Sequence, residues 1–167
     1  DEYGGLLETI QNDLGKDIRL CIPYEGDNRS AIIYNDIDGD GSEEAIVFYR
    51  TGKSESNARM HIYRDTNRGW VSGGDFSGYG SEVGNVAIDD MDLDGSKELL
   101  VLWNIPGIST GNVVSVYRSE PSELSYSEIA NEFIQRAVLH LLQQHRRGDA
   151  QIRPRAQALV RLGRAHG

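Results

Sequence analysis

A nine-residue acidic pattern occurs twice in the chain. Asp36-Ile37-Asp38-Gly39-Asp40-Gly41-Ser42-Glu43-Glu44 is answered 54 residues later by Asp90-Met91-Asp92-Leu93-Asp94-Gly95-Ser96-Lys97-Glu98. Laid over each other, residues 31–64 and 85–118 share nine identities in 34 columns, and Val47/Val101, Tyr63/Tyr117 and Arg64/Arg118 are among them. The apolar columns agree too: Ile32-Ile33-Tyr34 lies over Val86-Ala87-Ile88, and Ala45 to Tyr49 lies over Leu99 to Trp103. A fixed period of this kind means that one structural unit is built twice.

Each copy reads as short strands. Ala31–Tyr34 enters the acidic loop and Glu44–Tyr49 leaves it, both rich in β-branched and aromatic residues. Residues 59–64 form a third strand. After the turn Asn67-Arg68-Gly69, Trp70–Ser72 forms a short fourth. Ile18–Tyr24 supplies one more strand before the first copy, and the glycine-rich stretch Gly73–Gly84 reads as a flexible connection. Four short strands per unit is the pattern of a β-propeller blade, and two blades do not close a ring of about 4–8. The expected fold is therefore mainly β: two propeller-like antiparallel blades, an incomplete propeller, with an N-terminal helix and a C-terminal helical tail.

Both loops follow D-x-D-x-D-G-x-x-E. Counting Asp36 and Asp90 as position 1, carboxylates stand at 1, 3, 5 and 9 with glycine at 6. Alternate acids on a curled loop turn their oxygens towards one centre, and the glycine permits the sharp turn that brings the position-7 carbonyl there as well. The expected metal ligands are Asp36, Asp38, Asp40, Ser42 and Glu44 in one loop and Asp90, Asp92, Asp94, Ser96 and Glu98 in the other. A hard cation taking about 6–8 oxygens suits this set, and calcium suits it better than magnesium, which keeps several waters. Zinc would want His or Cys. An EF-hand loop needs an acid at position 12, where this chain has Val47 and Val101. The ion-free alternative is an Asp/Gly-rich β-turn, which leaves four carboxylates crowded in each loop.

The two loops resemble the calcium loops of FG-GAP/VCBS repeats, the blade repeats of integrin-α-type propellers and of many bacterial secreted or lipid-anchored surface proteins. The likeness spans about residues 18–118. It implies blades with calcium between hairpin strands, serving structure and adhesion or ligand display. It implies no particular partner, and the tail gains nothing from it.

The chain carries a formal net charge of −9 and one cysteine, Cys21, so a general nucleic-acid binder and a disulfide framework are not expected. Residues 1–118 hold 21 acids and 10 bases, whereas 119–167 hold 5 acids and 7 bases, all arginine. Leu6, Leu7, Ile10 and Leu14 share one helical face that stops at Gly15, which sets an N-terminal helix within 1–17. The repeats occupy 18–122, with copies near 31–84 and 85–122. Residues 123–167 form the tail: no third acidic loop opens at 144, and Ser127 is placed to cap a helix with Ile129, Phe133, Ala137, Val138, Leu141 and Leu142 on one side. A cap on an open sheet edge, a basic amphipathic hairpin and a segment foreign to the repeat all fit it.

No apolar run is long enough to cross a bilayer. Asp1 is not an initiator Met, so the chain is read as a processed form, with any secretion signal or lipid anchor upstream. Such calcium loops suit extracellular calcium, placing the chain outside the cell or in the envelope. His61, His140, His145 and His166 have no catalytic motif around them, and Cys21 reads as an inert core thiol. Tyr49, Tyr63, Trp70, Tyr79, Trp103 and Tyr117 read mainly as core and cross-strand residues. The expectation is a calcium-binding, non-catalytic surface or secreted binding or adhesion module with an unknown protein or carbohydrate ligand. The alternative is an accessory or catalytic part of an extracellular polysaccharide-acting hydrolase.

Overall fold

A computed structural model describes residues 4–52, 56–91, 93–107, 112–120 and 125–128. Helix α1 (Gly4–Leu14) is followed by strands β1 (Arg19–Leu20), β2 (Ile32–Asn35), β3 (Glu44–Arg50), β4 (Arg59–Thr66) and β5 (Gly69–Ser77). Then come β6 (Glu82–Asp89), β7 (Glu98–Asn104), β8 (Asn112–Glu120) and β9 (Ser125–Glu128). The strands form two antiparallel sheets. In the first, β1 and β2 share one edge of β3, and β4 and β5 follow; the second runs β6-β7-β8-β9. β3 and β7 stand 54 residues apart from first residue to last. The described part is thus mainly β with one short helix, and the sheets do not close into a barrel.

The inner faces pack as expected from period-2 alternation. Ile33, Ile46, Phe48, Met60 and Ile62 of the first sheet meet Val86, Leu99, Val101, Trp103 and Tyr117 of the second in one buried cluster. Phe48 sets its ring edge-on to Trp103 at 6.0 Å between centroids, and Phe76 tilts against Tyr117 at 4.9 Å. On the other face of the first sheet, Leu6 and Ile10 of α1 cover Ala45, Val47 and Tyr63. The sense of stacking follows from the repeat. Ala45, Val47 and Tyr63 face the helix, while their counterparts Leu99, Val101 and Tyr117 face the first sheet. So α1 lies on the first sheet where the first sheet lies on the second.

Several segments differ from the sequence reading. Of Ile18–Tyr24, only Arg19 and Leu20 pair with β3; after the Cys21 N–H donates to Phe48 O at 2.8 Å, the chain crosses over, and the Glu25 N–H donates to Gly84 O at 2.9 Å. This stretch therefore laces the two sheets together. Cys21 is half-buried against the inter-sheet core, and burial pushes its thiol pKa up. The glycine-rich stretch is mostly strand: β5 continues to Ser77 and β6 begins at Glu82, leaving 78–81 as the connection. Glycine is needed at Gly78 because a Cβ there would collide with the Trp103 ring and Ala58 O. Ser127 and Glu128 are strand residues in β9, and the Ser127 hydroxyl donates to Glu120 Oε1 at 2.6 Å rather than starting a helix. The second sheet therefore reaches beyond residue 122, because β9 completes it along β8. The expected tail helices lie outside the described residues.

Beside α1, the same face of the first sheet carries a polar cluster. Asp75 accepts the Tyr49 hydroxyl at 2.5 Å, Arg59 Nε at 3.0 Å and His61 Nδ1 at 2.8 Å, and is also paired with Arg59 Nη2. These groups come from β3, β4 and β5, so one carboxylate ties three strands. Burial raises the Asp75 pKa, but the hydrogen bonds from His61, Tyr49 and Arg59 and the Arg59 charge outweigh it and hold the pKa at about 2. A depressed carboxylate pKa contributes stability that is present above its ordinary value of 3.8 and lost as pH falls towards 2. That contribution is about 2 kcal/mol at neutral pH. Urea unfolding should therefore show a stability drop of this size between pH 5 and pH 2, and Asp75→Asn should flatten that step while lowering stability at pH 7.

Candidate metal centre

Each acidic loop joins an outer strand to the next: 36–43 links β2 to β3, and 90–97 links β6 to β7. The residue at position 2 is apolar and buried in both, Ile37 at 0% exposed and Met91 at 6%. It anchors the loop in the core. The glutamate at position 9 opens the next strand and is buried as well, Glu44 at 2% and Glu98 at 0%. Its Oε2 accepts the N–H of position 2, from Ile37 and from Met91, at 2.8 Å in each loop. The position-1 aspartate accepts the N–H of the position-6 glycine at 3.1 Å in each, Asp36 from Gly41 and Asp90 from Gly95. The position-5 aspartate accepts the N–H of position 7, Asp40 from Ser42 at 2.7 Å and Asp94 from Ser96 at 2.9 Å. The loops thus share these three internal hydrogen bonds, while the other position-1 oxygen accepts from Gly39 N–H in the first loop and from Asp94 N–H in the second.

Their backbones agree as well. Gly41 and Gly95 have φ of 94° and 98°, and position 4 is left-handed in both, Gly39 at 78° and Leu93 at 60°. The turn needs that conformation strongly enough to hold a leucine in it.

In the first loop, Asp36, Asp38 and Asp40 bring one carboxylate oxygen each within 4.8 Å of one another, a group that could hold a metal. Glu44 sits at the buried end of this loop. Burial pushes its carboxyl up to about 7; the Asp38 charge adds to this, while the Ile37 and Asp38 N–H groups and Arg64 oppose it. Ser42 is exposed at position 7. Of the second loop, Asp90, Asp94, Ser96 and Glu98 are described, and Asp92 lies outside the described residues.

Arg64 is the residue that motif reading missed. Its Nη1 pairs with Asp38 Oδ2 at 3.3 Å, and both side chains are largely buried. Its Nη2 donates to Ser119 Oγ at 2.9 Å, and its guanidinium lies over the Tyr126 ring, 5.2 Å from the centroid. It therefore joins the first loop to the second sheet. The available signal was the Arg64/Arg118 identity in the repeat, which lies outside the acidic motif.

The loops also touch each other. The Lys97 N–H donates to Ile37 O at 2.6 Å, the Ser96 hydroxyl to Asp38 O at 3.3 Å, and Lys97 Nζ to Asn35 Oδ1 at 2.7 Å. Of the aromatic residues noted in the sequence, Tyr49, Tyr63, Trp103 and Tyr117 are buried, Trp70 is half-buried, and only Tyr79 is exposed. The buried and half-buried ones are packing residues.

No protein-family model, curated protein or solved structure matches the chain.

Two outcomes follow for the loops. A Cβ on Gly39 would lie 2.5 Å from Gly95 O at a φ of 78°, so Gly39→Ala should cost about 1–3 kcal/mol by both strain and separation of the loops, read from urea midpoints. In chelator at pH 8, Glu44→Gln keeps an acceptor for Ile37 N–H but removes a buried charge whose carboxyl pKa is about 7. That variant should melt a few degrees above the parent; a lower melting temperature would show that the bonds from Ile37 and Asp38 N–H to the carboxylate, with the Arg64 charge, outweigh the cost of burying it.

Proposed function

We propose that the chain is a calcium-stabilised binding module built from two propeller-like blades of the FG-GAP/VCBS type, acting at a cell surface or in the extracellular space. The observation that carries this reading is that the two loops repeat one geometry. The same position-9 glutamate closes each loop at 2.8 Å, the same position-1 aspartate holds the position-6 glycine, and the same left-handed turn stands at position 4. A mere turn needs one such aspartate; carboxylates at 1, 3, 5 and 9 in both copies serve an oxygen-seeking cation. The same-sense stacking of α1 on the first sheet and of the first sheet on the second supports blade architecture, since successive blades meet face to back.

Calcium here is structural. It would draw on Asp36, Asp38, Asp40, Glu44 and the Ser42 carbonyl in the first loop and on Asp90, Asp92, Asp94, Glu98 and the Ser96 carbonyl in the second. It would remove the repulsion among these acids and the cost of burying Glu44. Because the loops abut, tightening them also tightens the contact between sheets. A protein or carbohydrate ligand fits a module of this kind.

Melting with calcium and with chelator tests the reading. A free calcium concentration about 100 times the dissociation constant adds about 2.7 kcal/mol per site, so calcium should raise the melting temperature well above the chelator value, and magnesium should raise it less. Calorimetric titration should count two sites, with Asp36→Asn and Asp90→Asn each removing one. Identical melting curves with calcium and chelator would overturn the proposal.

A further inference from the structure

The polar cluster on the α1 side of the first sheet contains more than the Asp75 tie. His61 Nε2 lies 2.8 Å from Ser72 Oγ, and His61 Nδ1 lies 2.8 Å from Asp75 Oδ2. The three residues stand in line as hydroxyl, imidazole and carboxylate. His61 is 6% exposed and its ring stacks on Tyr63 at 4.3 Å between centroids, so it is held in place, whereas Ser72 is exposed on β5.

Ordinary strand geometry would not bring these residues together. Ser72 and Asp75 are three residues apart, and a regular strand sends such residues to opposite faces. The β4–β5 ladder slips by one residue here: Ile62 pairs with Gly74 and Tyr63 with Ser72, leaving Gly73 as the extra residue. That bulge returns Ser72 to the face of His61 and Asp75, with Gly74 in a conformation (φ 152°) that suits glycine. Bulges re-aim side chains in this way beside functional sites. The repeat itself does not require the cluster: 54 residues on, His61 becomes Ser115, Ser72 becomes Tyr126 and Asp75 becomes Ile129.

The proton positions follow from the partners. Asp75, paired with Arg59, is an acceptor only, so His61 Nδ1 carries a hydrogen and donates it. In neutral His61, Nε2 then accepts from the Ser72 hydroxyl. That is a nucleophile on a base oriented by a third group.

We propose that Ser72 is a nucleophile activated by His61, with Asp75 as a positioning residue, and that the site takes carboxylic esters as acyl donors. Ser72 Oγ bonds to the acyl carbon as its proton passes to His61 Nε2. The tetrahedral intermediate collapses, the C–O bond to the alcohol breaks, and the leaving alkoxide takes the proton from His61. Water then attacks the acyl-serine and gives its proton to His61. The carboxylic acid leaves as the Ser72 oxygen takes the proton back.

This proposal is independent of the calcium reading, and its test is run on the full chain with calcium added. A fluorophosphonate probe is incubated with the protein; attack forms the Oγ–P bond, breaks P–F and releases fluoride. Peptide mass mapping should place the adduct on Ser72, and the protein should hydrolyse p-nitrophenyl acetate. Ser72→Ala should abolish labelling, and His61→Gln should slow it by about 100-fold or more. Circular dichroism checks that both variants remain folded, and a misfolded His61→Gln is replaced by His61→Asn. Asp75→Asn should slow labelling and Asp75→Glu should restore part of it, a rescue that a purely structural tie would not produce. Absence of an adduct on Ser72, or labelling of folded His61 variants at the parent rate, would overturn the proposal and leave the cluster as a strand clamp.

Discussion

Each acidic loop must reverse the chain between two strands while a glutamate at its end is buried. Glu44 and Glu98 meet that demand by accepting the N–H of Ile37 and Met91, residues whose own side chains are sunk in the core. One contact thus closes the loop and sets the first residue of the next strand. A hydrogen bond to a buried carboxylate is stronger than a neutral one, and leaving either buried partner unmet carries its full desolvation cost. The hairpins β2-β3 and β6-β7 depend on it, and through them so does the packing of the sheets.

The loops are also a junction. The first is held from inside by Glu44, from the second sheet side by Arg64, and from the second loop by Lys97 and Ser96. Acidic side chains that would repel one another are therefore partly met by Arg64 and by backbone N–H groups. A cation bound there, as proposed, would meet a loop already ordered, which keeps the ordering cost of binding low. The opposite face of the first sheet follows a different logic. There Asp75 is satisfied by Tyr49, Arg59 and His61 from three strands, and one inserted residue in β5 decides which hydroxyl joins them.

Much of this was legible in residue order. Strands β3 and β7 are runs of apolar and aromatic residues, and their boundaries came within a residue or two because an acidic loop precedes each. The loops were legible because carboxylate spacing and glycine position are local properties. The extent of β5 was not. Glycines at 73, 74 and 78 look like a flexible link, yet two of them form a bulge and the third makes room for Trp103. Ile18–Tyr24 looked like one strand because its apolar residues serve two sheets in succession.

The sequence by itself determined the repeat, the carboxylate spacing of each loop and the apolar strands beside it, since each loop and its strands are set by residues close together along the chain. Which face meets which was decided only in three dimensions. Alternation separates odd from even positions but does not say that Ala45 and Val47 lie under a helix while Leu99 and Val101 lie against another sheet. Arg64 reaches Asp38 and Ser119, and Ser72 reaches His61, across contacts made by sheet packing and by a register slip. A bulge moves every later side chain to the other face, and no local pattern of hydrophobicity records where the strand takes that extra residue.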